Sequence, residues 1–480
     1  MIDKPSGLFA RTREWDALSR FVKQMPGAEP RLGLMYGRRR QGKSLLAMQL
    51  CQAVGGFYWC ALETESDVNL VSLGQAWSAH TKQPGAIRFA DWNEACKALL
   101  ASAASGYGPV VVIDEAQYVI AKEPVLPSYL QQLLGPAGIG AASGGTRLLL
   151  CGSAFGDMRK LLDGKAPLRG RAVLDLVVQP FDYRTAAAFW GLAGNPRVAF
   201  GLHALVGGTP AYLPLADGDT PGVDGDLDAW VVRRMLNPAS SLHRDGRIAV
   251  AEDAQLGDRQ LFWGLMSAVA DGARRWSDLQ ETLGVPRGSL QHALATAVDT
   301  TWLIRVDDPF RQNRAVYELA EPMVRFHRLV IERHQIRLQT RPAREVWVDV
   351  RPDVAARINA PHLELLAREW LIAYASRETV GGIVNEAGPT EIAGVGQIDL
   401  AAVESTAVGG RRPLLIGEVK ATADRVGRKV LERLDNAAAG LGDVRRVLVS
   451  LSGFTTDLER VAARRSDVEL VDIHRLYHGE

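Results

Sequence analysis

The chain has few cysteines and no long apolar stretch. These two features argue against a disulfide-rich protein and against a membrane protein. Its 480 residues include only 4 cysteines and no C-x-x-C pair, so neither a disulfide framework nor a cysteine zinc site is expected. No run approaches the roughly 18 consecutive apolar residues of a membrane helix, and the first residues lack the apolar segment of a secretion signal. We therefore expect a cytoplasmic protein that does not contact a membrane, with reduced cysteines in its core.

The chain also lacks an excess of charge of either sign. Its 56 Lys and Arg residues balance 55 Asp and Glu residues, which leaves a formal net charge of +1. Contact with a nucleic acid would therefore have to come from local patches and not from a global basic field. The length predicts two to four domains, each large enough to bury its own core.

What the chain does contain is a complete phosphate-binding motif. Residues 37–44 read Gly-Arg-Arg-Arg-Gln-Gly-Lys-Ser and directly follow a short apolar run. In such a loop the glycines let backbone N–H groups surround a polyphosphate, Lys43 reaches its β- and γ-phosphates, and Ser44 ligates magnesium at a helix N-terminus. The predicted ATP contacts are Gly37, Arg38, Gln41, Gly42, Lys43, Ser44 and Leu45.

Two adjacent carboxylates follow a second apolar run. Residues 110–113 read Val-Val-Val-Ile, which predicts a strand buried on both faces, and Asp114 and Glu115 come directly after it. Asp114 would hold the magnesium ion that Ser44 binds, and Glu115 would polarise the water that attacks the γ-phosphate. The pattern predicts ATP and Mg²⁺ as cofactors.

The first third of the chain alternates strands with helices. Short strands are predicted at residues 57–60, 110–113, 147–151 and 173–178, and this order indicates an α/β fold with a parallel sheet covered by helices. Ser153 follows a strand expected beside the loop, so it is a candidate γ-phosphate sensor, although an ordinary turn serine fits the spacing equally well. Arg169 and Arg171 could reach a phosphate in the same chain or in a neighbouring subunit, so a homo-oligomer stays open.

The pattern becomes helical further along the chain. Residues 276–283 and 287–294 predict two short helices about a Gly turn, and two strand patterns follow them, which together indicate a winged helix. One interpretation is DNA contact through Arg287, Gln291 and His292. The other is a packing module that senses the nucleotide state, and the small number of basic residues on the second helix favours it.

A second set of charges lies in the last third of the chain. Asp399 falls within one apolar strand, and Glu418 and Lys420 fall two residues apart on the next, so both point to one face. Because charges inside apolar strands need a partner or a metal, we predict a magnesium site for phosphodiester cleavage, with Glu364 on a preceding helix as a further ligand. Lys420 would orient or deprotonate the water, or stabilise the developing charge. The alternative is a structural relic without activity.

Together these elements resemble the archaeal-type ATPase family, a branch of the signal-transduction (STAND) AAA+ ATPases. The resemblance covers nearly the full length and rests on the phosphate-binding loop, Asp114-Glu-Ala-Gln117, Cys151-Gly-Ser153, Pro180-Phe181 and Gly207-Gly-Thr-Pro210. It implies an AAA+-type parallel sheet, a helical lid, a winged helix and a C-terminal PD-(D/E)XK restriction-endonuclease-like α/β domain carrying Asp399, Glu418 and Lys420. It also implies that Gly208 and Pro210 contact the adenine from the lid.

The resulting domain prediction has four parts. Residues 1–182 form the ATPase core, 183–250 the lid, 251–340 the winged helix and 341–480 the nuclease-like domain. The function expected from it is an ATP-hydrolysing switch that controls a magnesium-dependent DNA endonuclease, in defence or in mobile-element biology. The alternatives are a nucleotide-gated DNA-binding or regulatory scaffold whose tail does not cut, and a chaperone-like ATPase that remodels a protein partner.

Overall fold

The chain folds into two compact units. The structure, a computed structural model, describes residues 2–23, 29–153, 155–222, 226–251, 258–406 and 409–480. The first unit contains the chain up to Pro180, and the second begins at Phe181. In the part of the chain that is described, no helix combines the length and apolar character needed to cross a membrane.

The first unit is built on a parallel sheet. Its strands are β1 Arg31–Tyr36, β2 Phe57–Cys60, β3 Val110–Asp114, β4 Arg147–Gly152 and β5 Ala172–Val177. Its helices are α1 Thr12–Val22, α2 Lys43–Val54, α3 Ser66–Thr81, α4 Trp92–Leu100, α5 Ala116–Lys122, α6 Leu126–Leu133 and α7 Phe155–Lys160, with a 3₁₀ turn at Gly140–Ser143. The strand order is β2-β3-β4-β1-β5, and every neighbouring pair is parallel. The predicted α/β fold is confirmed.

Burial of the central strands explains why the sequence revealed them. All residues of β3 and β4 are buried, and so are all residues of β1 except Arg31. Helices cover both faces of a parallel sheet, so its inner strands read as continuous apolar runs. The carboxyl ends of parallel strands meet at one edge. That edge therefore receives the loop after β1, Asp114 from β3 and Ser153 after β4.

The second unit begins with helices and a short hairpin. The helices include α8 Tyr183–Phe189, α9 Pro196–Val206, α10 Tyr212–Leu215, α11 Asp226–Trp230, α12 Ser241–Ala251, α13 Arg259–Asp271, α14 Trp276–Leu283, α15 Arg287–Asp299, α16 Pro322–Phe326, α17 Gln335–Thr340 and α18 Ala343–Val354. The hairpin consists of β6 Leu303–Asp307 and β7 Ala315–Leu319 and lies between α15 and α16. Strands β6 and β7 are antiparallel. We call residues 259–319 the helix-hairpin module. Its two short helices and hairpin lie where the sequence predicted them, and its interpretation as a winged helix stays a prediction.

A second sheet ends the chain. Its strands are β8 Glu386–Ile392, β9 Gly396–Ser405, β10 Arg411–Lys420, β11 Arg445–Ser450 and β12 Val468–Asp472. The helices of this part of the chain are α19 Ala360–Ala373, α20 Arg377–Val380, α21 Arg428–Ala438, α22 Thr456–Ala462 and α23 Ile473–His478. The order is β12-β11-β10-β9-β8, with β8, β9 and β10 antiparallel and β10, β11 and β12 parallel. We call it the C-terminal sheet. The mixed α/β arrangement agrees with the prediction, although β8 was not predicted.

The cysteines agree with the prediction except at one position. All 4 are free thiols, and Cys51, Cys96 and Cys151 are buried as expected. Cys60 is exposed, so its expected place in the core was wrong. The reason is that Cys60 ends β2, an edge strand whose burial alternates, and its side chain falls on the open side.

Three histidines of the second unit, His203, His327 and His362, are buried, and burial lowers the pKa of each. Nδ1 of His203 lies 2.9 Å from Nε2 of His362, and burial lowers the pKa of His203 to about 4. Burial, and next the charge of Arg247, lower the pKa of His327 to about 4 as well. An unfolded chain titrates histidine near about 6.5. The folded state therefore binds fewer protons than the unfolded state between these two values.

We expect the stability due to these neutral histidines to be fully present above about pH 6.5 and to be lost as the pH falls towards 4. Each contributes a slope of about 1.4 kcal/mol per pH unit, because only the unfolded chain takes up the proton in that window. Urea unfolding in steps between about pH 7.5 and pH 5 measures the slope. His327→Gln should remove one histidine's share, and the exposed His474→Gln is the matched control. An unchanged slope in His327→Gln would contradict the assignment.

Candidate functional site

Strand β1 delivers the phosphate-binding loop to the edge of the first sheet. Gly37 has a φ of 153°, and a Cβ there would come within 2.4 Å of the carbonyl oxygen of Val178. Gly42 has a φ of 86° and caps the N-terminus of α2. Both conformations favour glycine. The first N–H groups of α2 have no acceptor within the helix, so the loop and the helix start form a cradle for an anion.

Lys43 lies inside this cradle. Its side chain is 5 % exposed, and Nζ donates a hydrogen bond to the carbonyl oxygen of Arg38 at 2.8 Å. Burial lowers the pKa of Lys43, and the nearby Cys151 and Glu115 oppose that effect. An ammonium group beside the backbone N–H groups of the loop and of the start of α2 can bind a polyphosphate. Arg38 and Gln41 are buried in the same loop, and Leu45 is exposed on α2.

Arg11 joins the loop to its surroundings, a role that the sequence did not reveal. Nη2 of Arg11 donates to the carbonyl oxygen of Gln41 at 2.9 Å, and Nη1 donates to that of Gln179 at 2.7 Å. Glu14 accepts a further bond at 2.9 Å. The guanidinium thus fixes the loop backbone against the segment after β5. A single arginine before a helix carries no sequence pattern that distinguishes this role.

Asp114 ends β3 as predicted, buried at the same edge of the sheet. Its Oδ2 accepts a hydrogen bond from Oη of Tyr58 at 2.8 Å, and its Oδ1 accepts one from the backbone N–H of Glu115 at 2.9 Å. These two donors fix the carboxylate in one orientation. A carboxylate fixed in this way suits the predicted role of Asp114, which is to bind a magnesium ion together with Ser44.

The structure brings Glu115 and Ser153 into direct contact. Oε2 of Glu115 accepts a hydrogen bond from Oγ of Ser153 at 2.8 Å and another from Nε2 of Gln117. Nε2 of Gln117 also lies 3.2 Å from Oγ of Ser153. Ser153 is therefore bonded to the predicted base, and its role as a γ-phosphate sensor stays a prediction. Gln117 was part of a recognised motif, but its contact with the carboxylate appears only in three dimensions.

Gly208 and Pro210 belong to the second unit, where packing explains the glycine. A Cβ on Gly208 would come within 1.8 Å of the carbonyl oxygen of Phe181, and the backbone N–H of Phe181 donates to the carbonyl oxygen of Gly208 at 2.8 Å. The close approach of Phe181 explains why position 208 is a glycine. Contact of Gly208 and Pro210 with adenine stays a prediction.

The second constellation assembles on the antiparallel strands β9 and β10. Nζ of Lys420 lies 3.3 Å from Oδ2 of Asp399 and 2.5 Å from Oε2 of Glu418. The backbone N–H of Val419 donates to Oδ2 of Asp399 at 3.0 Å. The structure therefore brings together the three charged residues that the strand pattern selected.

The charges of this site are strongly coupled. Glu418 is 1 % exposed, and burial and then the charge of Asp399 raise its pKa. Burial opposes the charge on Lys420, but Asp399 and Glu418 outweigh it and raise the pKa of the ammonium. Lys420 is therefore a cation at neutral pH. Arg433 of α21, which the sequence did not select, places Nη1 3.0 Å from Oε1 of Glu418.

The donor atoms fit a hard divalent cation. Asp399 and Glu418 supply carboxylate oxygens, which Mg²⁺ prefers. Within the described residues Oε1 of Glu418 has no partner in hydrogen-bond geometry, despite its closeness to Arg433, so this buried oxygen can accept a metal. We therefore expect Asp399 and Glu418 to hold the ion.

Glu364, the third predicted ligand, is engaged elsewhere. Its Oε2 accepts a hydrogen bond from Nη1 of Arg274 at 3.1 Å. Across the described ranges no group of three or more His, Cys, Asp and Glu side chains is arranged to hold a metal. In this arrangement Glu364 does not complete a site with Asp399 and Glu418, because Arg274 holds it. Its role as a ligand stays a prediction.

Arg274 also belongs to a buried ionic network. Its Nη2 donates to Glu318 on β7, and Nη2 of Arg368 on α19 donates to the same carboxylate. Glu318 and Arg368 are buried. Breaking a buried pair leaves an uncompensated charge at a cost of about 3–5 kcal/mol. This network therefore fixes the helix-hairpin module to α19.

One family model matches the chain. Residues 377–478 match Mrr_cat, described as a restriction endonuclease. The match includes β8 to β12 and all three residues of the second constellation, but covers only about a fifth of the 480 residues. The C-terminal domain is thus similar to restriction endonucleases, as its residues indicated.

Solved structures resemble the chain at low identity. A Walker-type ATPase of Pyrococcus abyssi is 19% identical with a TM-score of 0.49, over 67% of this chain and 96% of that one. The Aeropyrum pernix ORC2 protein in its ADPNP-ADP complexes is 17% identical with a TM-score of 0.42, over 70% of this chain and 96% of that one. Among curated proteins no sequence matches. Similarity at these identities and TM-scores does not identify a function for this chain.

Proposed function

We propose that the protein is an ATP-hydrolysing switch that controls magnesium-dependent DNA cleavage by its C-terminal domain. The observation that carries the proposal is the presence of two charged constellations in one chain. One is the phosphate-binding loop with Asp114 and Glu115, and the other is Asp399, Glu418 and Lys420 in a domain similar to restriction endonucleases. A nuclease under nucleotide control suits defence against foreign DNA or mobile-element biology.

In the first constellation the chain binds ATP and positions a water. Backbone N–H groups of the loop and the ammonium of Lys43 bind the β- and γ-phosphates, and Ser44 and Asp114 would hold a magnesium ion. Glu115 orients the attacking water, and Ser153 and Gln117 hold its carboxylate in place. Magnesium would neutralise the charge that develops on the phosphate oxygens.

In the second constellation the chain would cleave a phosphodiester. Asp399 and Glu418 would hold the ion, and the ion would supply the chemistry that makes a water nucleophilic at neutral pH. Lys420 lies next to both carboxylates, so its ammonium is placed to stabilise the charge of the pentacovalent transition state.

The test is plasmid cleavage by the wild-type protein with and without ATP. We expect nicked or linear DNA in Mg²⁺, no product in EDTA, and a rate that changes at least severalfold when ATP is added. Gel electrophoresis of the plasmid over time measures all three. Cleavage that is identical with and without ATP would contradict nucleotide control while leaving the nuclease intact.

A second function is favoured by the ion pairs of the nuclease-like site. Lys420 bonds both carboxylates, and Arg274 holds Glu364, so the site also fits a tail that binds DNA without cutting it. The protein would then be a nucleotide-gated DNA-binding or regulatory scaffold. DNA binding without product in either Mg²⁺ or Mn²⁺ would support this function over the first.

A further inference from the structure

A polar cleft lies between the helix-hairpin module and the C-terminal sheet. Its volume is about 870 Å³. Its walls are the start of α14, the β6–β7 hairpin, the end of β8 and the start of β9. Arg274, Arg275, Arg305 and Arg314 line it, together with the aromatic ring of Trp276. Arginines beside an aromatic ring are the side chains with which proteins hold a nucleic-acid strand.

Not all four arginines are held by buried carboxylates. Arg274 is bonded to Glu318 and Glu364, whereas Arg305 pairs with the exposed Asp307. Asp278, Asp308 and Glu391 line the cleft with the four arginines, a formal balance of +1 from 4 − 3. Asp308 is buried and accepts two backbone N–H groups of its own turn. Glu391 pairs with Arg314 at 3.0 Å, but both side chains are exposed. Because exposed pairs contribute little, a phosphate can replace Glu391 at Arg314.

The cleft lies next to the candidate nuclease site. Gln397 lines it and precedes Asp399 by two residues on β9, so the two side chains share a face of the strand. The carbonyl oxygen of Gln397 accepts a hydrogen bond from Arg433 at 2.6 Å, and Arg433 also contacts Glu418. On the opposite wall Arg274 bonds Glu364 of α19. A strand lying in the cleft would therefore reach Asp399 and Glu418.

We propose that this cleft binds the sugar-phosphate backbone of the DNA strand that enters the nuclease site. The inference rests on the proposed nuclease function and places the main DNA contact away from the exposed face of α15. That face offers Arg287 as its one arginine, with Gln291 and His292 beside it. Contacts to a phosphate backbone position DNA without reading its sequence. The cleft therefore binds DNA of any sequence.

The test compares two double variants in DNA binding. Arg275→Ala/Arg314→Ala removes two exposed arginines from the cleft, and Gln291→Ala/His292→Ala removes two exposed polar side chains from α15. Fluorescence anisotropy with a labelled DNA duplex in EDTA measures the Kd without cleavage. We expect the cleft variant to bind about tenfold more weakly, and its slope of log K against log salt to fall by about two, because two phosphate contacts are lost. The α15 variant should stay within about twofold of wild type.

Three outcomes would overturn the inference: weaker binding by the α15 variant with normal binding by the cleft variant, equal loss in both, or no loss in either. Matching thermal midpoints would show that both variants fold. Plasmid cleavage by the wild type separates this inference from the proposed function. A wild type that cuts, with a cleft variant that binds normally, refutes the cleft alone. A wild type that binds through the cleft but never cuts refutes the nuclease alone.

Discussion

Lys420→Ala should abolish DNA cleavage and leave ATP turnover at the wild-type rate. The ammonium of Lys420 lies within 3.3 Å of Asp399 and 2.5 Å of Glu418, so its charge is placed where a phosphodiester would gain negative charge. Removing one preorganised stabilising group costs roughly 10²–10³ in rate. We therefore expect cleavage to fall by at least about 100-fold. The initial rate of plasmid nicking in Mg²⁺ measures the loss, and phosphate release from ATP measures the retained activity.

The control for this variant is Lys429→Ala, which removes an exposed lysine from α21 in the same domain. It should nick DNA at the wild-type rate. Lys420→Ala leaves Glu418 beside Arg433, so the buried carboxylate keeps one cation and the domain should still fold, as its thermal midpoint would show. Nicking by Lys420→Ala at the wild-type rate would refute the assignment of this site.

The parts of the fold that the sequence predicted are those with a strong local pattern. Strand β3 is an uninterrupted apolar run because both its faces are covered. Strand β8 was missed because Gly388 and Pro389 interrupt it and its residues do not alternate. The structure tolerates the proline because β8 is an edge strand. A strand interrupted by glycine and proline therefore gives no local pattern, whereas an uninterrupted apolar run does.

The residues of the candidate sites also divide into those that a local sequence pattern predicts and those that it does not. Asp399, Glu418 and Lys420 were found because a period of two places charges on one face of paired strands. Arg11, Arg274 and Arg433 were missed because each acts through a contact distant in sequence, such as the one between Arg274 and Glu364. Isolated arginines are common on protein surfaces, and no spacing distinguishes those that touch a site. Such positioning residues require the folded structure.

Lys43→Ala should reduce ATP turnover to background. Lys43 is a buried cation of the phosphate-binding loop, with Nζ 2.8 Å from the carbonyl oxygen of Arg38. Its charge would neutralise the β- and γ-phosphates in the transition state. Loss of such a group costs roughly 10²–10³ in rate. Burial already disfavours the charge, as its lowered pKa indicates, so alanine should not unfold the domain. Lys97→Ala, on the exposed face of α4, is the control for phosphate release.

The same variant tests whether the loop controls the nuclease. If ATP acts through this loop, plasmid cleavage by Lys43→Ala should proceed at one rate whether or not ATP is present, because the nucleotide no longer binds productively. Lys97→Ala should keep the wild-type response. Cleavage by Lys43→Ala that still changes with ATP would place the control at another nucleotide site. A loss of cleavage under every condition, with the domain folded, would instead show that the nuclease requires a functional phosphate-binding loop.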